Sequence, residues 1–303
     1  MKTFGLSAVL TGALLSRTGA CDLCSIYAAS EAGGGAGSGF YGGVAEQYTS
    51  FGTLQDSGQK IANDGEYIHS STSQLFVGYN ISDRLGVQAN LPVIHRDFGS
   101  DTDHGSETGI GDVSLIGTFA VFQAMSVNHT FTWTVLGGVK FPTGNPRRLA
   151  DPDFAGGIGG HDLALGSGSI DGVVGTGIFG RWRKGFVTAN MQYAIRSSGY
   201  IDHRYANDLT WSAGPGYYVA LEDNYTVSLQ GVASGETKGK DTFSGVADDD
   251  SAETIVYAGP QVNFTWGTKV SAQVGVDLPV SIANTGVQVV PDYRAHAAVT
   301  FRF

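Results

Sequence analysis

The chain has 303 residues, among them 45 glycines and 8 prolines, and only 15% are charged. Its mean hydropathy is nonetheless close to neutral at −0.02, a combination foreign to an ordinary soluble domain with a charged surface. The net charge of −10 argues against nucleic acid as a partner. Beyond the amino terminus no apolar run reaches the roughly 18 residues that a membrane-spanning helix needs.

The first stretch, 1–20, reads as a secretory signal peptide: Lys2, an apolar run over 4–15, then Thr18-Gly19-Ala20 before Cys21. Cleavage there removes Lys2 and Arg17 and no acid. Cys21 and Cys24 then open the mature chain as Cys-Asp-Leu-Cys. Secretion means an oxidising compartment, so a small disulfide loop between them is the plain reading. A c-type haem would need His after Cys24, where Ser25 stands. A lipid anchor on Cys21 would want Leu near position 18, where Thr18 stands, and a metal site would need ligands that the neighbouring residues do not supply. Residues 30–39 are a glycine-rich lead-in. The expected organisation is a signal peptide at 1–20, a Cys-x-x-Cys and glycine-rich segment at 21–39, and one β domain at 40–303.

From Phe40 onward apolar and polar residues alternate in segments parted by turns, the signature of strands whose two faces meet different surroundings. Strands are expected at 40–53, 66–79, 85–96, 112–122, 130–141, 169–182, 186–196, 209–220, 225–234, 254–265, 269–279 and 293–303. The third sets Leu85, Val87, Ala89, Leu91 and Val93 against Gly86, Gln88 and Asn90. The seventh sets Val187, Ala189, Met191, Tyr193 and Ile195 against Thr188, Asn190 and Gln192. The count is even, as single-chain bacterial barrels require if both ends are to lie on one side.

The connections alternate in length. Long ones fall at 54–65, 97–111, 142–168, 197–208, 235–253 and 280–292, short ones at 80–84, 123–129, 183–185, 221–224 and 266–268. A soluble sandwich has no reason to keep that order. A barrel in the bacterial outer membrane does, with short turns and both termini periplasmic and long loops outside. Tyr79, Phe122, Phe131, Trp182, Phe186, Tyr225 and Trp266 cluster by the short turns, where an interfacial girdle belongs. The expected fold is therefore all-β, a 12-stranded antiparallel transmembrane up-and-down β-barrel. Its outward rows carry almost no charge, whereas Lys140, Asp171, Arg181, Arg196, Asp277, Arg294, His296 and Arg302 fall on the inward face and would line the lumen. A barrel of eight strands fills itself and one of sixteen leaves a pore, so twelve suggests a narrow or plugged lumen. The glycine-rich 142–168 loop is the candidate constriction.

The last eleven residues, YRAHAAVTFRF, end in phase on Phe303. They resemble the closing strand of bacterial outer-membrane barrels, whose terminal Phe is the usual assembly signal. The resemblance implies the barrel-assembly machinery as a partner, beside outer-membrane lipid and lipopolysaccharide. A more specific likeness runs through Asn80-Ile81-Ser82-Asp83-Arg84-Leu85, Asn90-Leu91-Pro92-Val93, Gly109-Ile110-Gly111-Asp112-Val113-Ser114-Leu115, Lys140-Phe141-Pro142-Thr143-Gly144-Asn145 and Leu165-Gly166-Ser167-Gly168-Ser169-Ile170-Asp171. Over about 75–182 the chain resembles the outer-membrane family named after the phenol meta-pathway degradation protein, often labelled "transporter". That implies a channel or transporter for small, hydrophobic or aromatic solutes. The amino-terminal Cys-x-x-Cys departs from the family pattern.

Other signals are weaker. Gly37-x-Gly39-x-x-Gly42 and Gly175-x-Gly177-x-x-Gly180 do not join a strand to a helix, so they are not dinucleotide sites. Sequons at Asn80, Asn128, Asn224 and Asn263 sit in or beside short turns and read as turn chemistry. His104, His161 and His203 fall in long loops and are expected to be solvated. The loop acids Asp101, Asp103, Glu107, Asp151, Asp153 and Asp248–Asp250 read as solvated too, with divalent-ion binding the sharper alternative and Arg147-Arg148 possible partners. No cofactor, metal site or catalytic residue is expected. Two rival functions remain in view. One is a structural barrel holding a redox or metal partner through Cys21 and Cys24. The other is a membrane-embedded hydrolase, which would need an outward Ser beside a His such as His95 or His203.

Overall fold

In a hydrocarbon environment every backbone N–H and C=O must be paired within the protein, so strands can cross only as a closed ring. The computed structural model, which describes residues 38–303, has that ring; the stretch 1–20 expected as a signal peptide, and Cys21 and Cys24, lie outside the described residues. Twelve long antiparallel strands form the barrel. They are β1 Gly39–Asp56, β2 Tyr67–Asn80, β3 Leu85–Gly99, β4 Val113–Met125, β5 His129–Phe141, β6 Asp171–Trp182, β7 Gly185–Ile195, β8 Asp208–Leu221, β9 Tyr225–Lys238, β10 Glu253–Trp266, β11 Val270–Asn284 and β12 Val287–Arg302. Each pairs with its sequence neighbours, and β12 pairs with β1 from Tyr41↔Arg302 to Asp56↔Val287.

Alternation decides which side chains meet lipid. Leu75, Val77 and Tyr79 of β2, Leu115 and Phe119 of β4, and Val274, Val276 and Leu278 of β11 are all exposed on the outer wall. Between them Gln74, Gln88, Ser114, Gln192, Ser228 and Thr300 are buried toward the axis. Aromatic pairs ring the short-turn end: Phe40 with Tyr79 at 4.7 Å, Phe122 with Phe131 at 5.9 Å, His129 with Trp182 at 5.4 Å, and Tyr225 with Trp266 at 6.4 Å between centroids. The outer wall has a polar interruption between β1 and β2. The outward Glu46 carboxylate accepts from Ser71 Oγ at 2.5 Å and also from Ser73 Oγ.

The short turns fall where alternation places them, but the long-loop end does not. Residues 280–292, expected as a long loop, are not one. β11 and β12 run on to a two-residue turn at 285–286, with Gly286 at φ +63°, a left-handed conformation that glycine adopts without strain. The 97–111 loop likewise contains an added strand, His104–Ile110, paired to β3 from Val93↔Ile110 to Gly99↔His104. β9 continues four residues past its expected end at Ser234, to Lys238. In β12 the residues 288–291 are buried in succession, so that this part of the rim is covered on both faces and strict alternation is lost there.

Closure depends on a close approach at Gly43. Its neighbours are Thr300 of β12 and Phe76 of β2. A Cβ there would strike the Val299 carbonyl, and would meet the Phe76 ring at 2.7 Å. At Gly117 a Cβ would meet nothing nearer than 3.7 Å. Gly43→Val is therefore expected to cost roughly 1–3 kcal/mol through overpacking. It should lower the urea midpoint of the detergent-folded barrel and weaken its heat-modifiable band on gels, while Gly117→Ala leaves both unchanged.

Candidate functional site

The lumen is built from the polar half of the alternation. On one side Tyr41 Oη donates to Gln88 Oε1 at 3.1 Å, Gln88 Nε2 to Asn90 Oδ1 at 2.6 Å, and Asn90 Nδ2 to Ser114 Oγ at 3.0 Å. On the other, Gln261 Nε2 donates to Asn263 Oδ1 at 2.7 Å and Gln230 Nε2 to Thr188 Oγ1 at 2.7 Å, with His296 Nε2 at 3.2 Å from Gln261 Oε1. Amides fixed in this way present donors and acceptors toward the inside of the ring. Phe179, Phe186 and Tyr218 pack ring against ring toward the short-turn end.

Charged groups stand above this belt. Lys140 Nζ lies 2.5 Å from Asp112 Oδ2, 3.0 Å from Asp171 Oδ2 and 2.6 Å from Ser167 Oγ. Arg196 reaches the same Asp171 oxygen at 3.1 Å. Asp112 also accepts from the backbone N–H of Gly144 at 2.9 Å and of Ser167 at 3.0 Å. The cluster thus ties both roots of the 142–168 segment to the barrel wall. Across the lumen, Arg294 binds Asp277 at 2.8 Å and Ser234 at 2.7 Å and lies 4.2 Å over the Tyr257 ring. His296 Nδ1 is 3.5 Å from the same Asp277 oxygen. Arg181 stands apart at the short-turn rim, donating to Thr130 Oγ1 at 3.2 Å and to the Arg183 carbonyl at 3.0 Å.

The 142–168 segment folds inward and fills the mouth at the long-loop end. Its Phe154, Ile158 and Leu163 pack against Leu54, Ile68, Phe98 and Val289 of the rim. Ile158 and Ala164 are fully buried, at 0% exposure. Arg96 Nη1 donates to the Asp162 carbonyl at 2.5 Å and the Ala164 carbonyl at 2.8 Å, and Gly157 N–H donates to Glu66 Oε2 at 2.8 Å. The segment is therefore held at its roots by ion pairs, in its middle by apolar contact, and beside its second root by a guanidinium on backbone oxygens.

Two expected loop histidines are not solvated. His161 of the plug and His203 are buried at 5% and 6% exposure, their rings near-parallel with centroids 6.3 Å apart. Tyr205 Oη donates to the His161 carbonyl at 3.0 Å. The contact joins loops separated by forty residues of chain, which is why sequence position alone reads both as exposed. His104 is exposed. The loop acids are also partly engaged: Arg148 binds Glu107 at 2.6 Å and Asp151 at 3.0 Å, and Lys240 binds Asp249 at 2.6 Å. Among the described residues no group of three or more His, Cys, Asp or Glu could hold a metal ion. Arg96, Asp112 and Ser167 were not singled out from the sequence. The alternation of β3 carries a signal for Arg96, which follows Gln88 and Asn90 in phase.

His95 does meet a hydroxyl on the outer wall, but that of Thr108, at 2.6 Å, with Asp97 at 3.1 Å from its other nitrogen. The line of three resembles a nucleophile, base and orienter. It lies in regular paired strands, His95↔Thr108 and Asp97↔Ser106, whose backbone N–H groups serve the sheet and form no evident oxyanion hole.

Replacing Lys140 by Met is expected to leave the Asp112 and Asp171 carboxylates buried without their shared cation. Breaking a buried pair from one side costs about 3–5 kcal/mol. Equilibrium unfolding in urea should show that loss, and Lys140→Arg should restore part of it.

No protein-family model matches the chain, and no curated protein sequence is significantly similar. Solved structures do match its fold. The COG4313 outer membrane channel from Pseudomonas putida F1 superposes with a TM-score of 0.68 at 18% identity, over 89% of this chain and 96% of that one. The translocator domain of the autotransporter NalP from Neisseria meningitidis gives a TM-score of 0.45 at 14% identity, over 92% and 93% of the two chains. The chain has the fold of an outer-membrane β-barrel.

Proposed function

We propose that the protein is an outer-membrane channel for small solutes, closed toward the outside by its own 142–168 segment. The carrying observation is the way that segment is held. Its roots are pinned by Lys140, Asp112, Asp171 and Arg196 inside the barrel, Arg96 holds the carbonyls of Asp162 and Ala164 beside the second root, and the middle rests on apolar residues of the rim. A segment tethered by ion pairs at its roots and held between them mainly by apolar contact can swing without leaving the lumen. Below it lies a bore lined by amides and rings, suited to a small solute with both an apolar ring and a hydrogen-bonding group. The likeness to the phenol meta-pathway family points to the same solutes, hydrophobic or aromatic. The arrangement of short turns at one end and long connections at the other supports a periplasmic position for both termini.

Lys140, Asp171, Arg181, Arg196, Asp277, Arg294 and His296 set the charge of the path in this reading. Most are neutralised in pairs, so selectivity should be mild and open to change by single substitutions. Arg294→Gln removes the cation beside Asp277, and the reversal potential under a salt gradient should move toward cation preference.

The channel itself is tested in planar bilayers and liposomes. The intact protein should show small or infrequent openings, and replacing 151–163 by a short Gly-Ser linker should raise conductance and the uptake of small phenols. Absence of conductance and of uptake in both forms would sink the proposal.

A further inference from the structure

The outer wall carries a groove of about 710 Å³ near the short-turn end of β5–β8. Its sides are Phe131, Trp182 and Val187, and Gly180, Gly185 and Pro215 lie between them. A Cβ at Gly180 would sit 3.6 Å from Val187 Cγ1 and 3.8 Å from the Phe131 ring, so the groove exists because that position has no side chain. Trp182, Val187 and Phe131 are exposed on the outer wall, and in a membrane they face acyl chains. A groove floored by glycine and walled by rings fits a methylene chain.

Its open end is basic. The β6–β7 turn is Arg183-Lys184, both exposed. Arg181, hydrogen bonded to the Arg183 carbonyl at 3.0 Å, and His129, its ring tilted against Trp182 with centroids 5.4 Å apart, also line the groove. The other short turns differ. Those at 81–84 and 267–269 carry one cation each, 126–128 carries none, and 222–224 is acidic, with Glu222 and Asp223. Two cations in one turn therefore coincide with the groove, at the depth where headgroups meet water.

From the apolar groove ending at the Arg183-Lys184 turn, we infer a binding site for an anionic glycerophospholipid. One acyl chain lies over Gly180 between Phe131 and Val187, and the phosphate meets Arg183 and Lys184. The site is independent of solute passage. It rests on the proposed topology only for the leaflet, which is the periplasm-facing, phospholipid leaflet if the short turns are periplasmic.

The test is native mass spectrometry of the purified full barrel after exchange into nanodiscs of equal phosphatidylglycerol and phosphatidylcholine. The intact protein should carry phosphatidylglycerol into the gas phase about tenfold more often than phosphatidylcholine, as two surface cations warrant. Arg183→Asn with Lys184→Gln should erase that preference; Asn tolerates the left-handed backbone of Arg183, at φ +53°. Gly180→Leu should fill the groove and lower retention of both lipids. Heat-modifiability on gels reports that each variant folds. Equal retention of the two lipids by the intact protein, or unchanged retention in either variant, overturns the site. Labelling of Lys184→Cys by an impermeant maleimide on intact cells would overturn the leaflet and the topology, leaving the groove's lipid preference to be judged by the retention data.

Discussion

The pairing of backbone groups across the β1–β12 seam is the constraint on which everything else depends. A strand in lipid with one open edge leaves a column of N–H and C=O groups unsatisfied, at several kcal/mol each. Register from Tyr41↔Arg302 to Asp56↔Val287 removes that edge over the full height of the wall. Once the ring is closed, alternation acts as a sorting rule. Whatever lies in one phase faces acyl chains, and whatever lies in the other faces the interior of the ring. Many of the inward Gln, Asn, Ser and Thr residues then bond to one another, as Gln88, Asn90 and Ser114 do.

The same confinement explains the charges. A lone inward Lys or Asp at this depth would be poorly solvated, so charged groups occur as clusters that share partners. Asp171 serves both Lys140 and Arg196, and Asp277 serves both Arg294 and His296. One such cluster anchors a loop and the other does not. This difference separates a plug, which has to be tied to the wall, from groups that remain beside the path. The outward Glu46, held by two serine hydroxyls, shows that the lipid face too tolerates a polar group when neighbours supply donors.

Legibility fell off from one end of the barrel to the other. The short turns were readable to within about three residues because strand phase, Gly or Asn in or beside the turns and interfacial aromatics coincide there. The long-loop end was not. Residues 280–292 contain Pro291 and the glycine of Thr285-Gly286, signals that usually break a strand. In the fold Gly286 makes a tight hairpin, and Pro291 falls where β1 bulges at Phe51–Thr53. Val289 and Val290 are both buried, which no alternating strand above a membrane would predict. They are covered from both sides because the rim is packed by loops as well as by strands.

Alternation and strand count thus determined the barrel class, since both follow from the period of two along each strand, and the same period is the ground for expecting Lys140, Asp171, Arg196, Asp277 and Arg294 to face inward. Tertiary structure alone decided what those residues touch. It folded the 142–168 segment inward, set Arg96 against two of its carbonyls and brought His161 beside His203. Those contacts join residues tens of positions apart, where local sequence carries no record of distance. They depend on which loops share the mouth of a closed ring, and that is fixed only when the last strand pairs with the first.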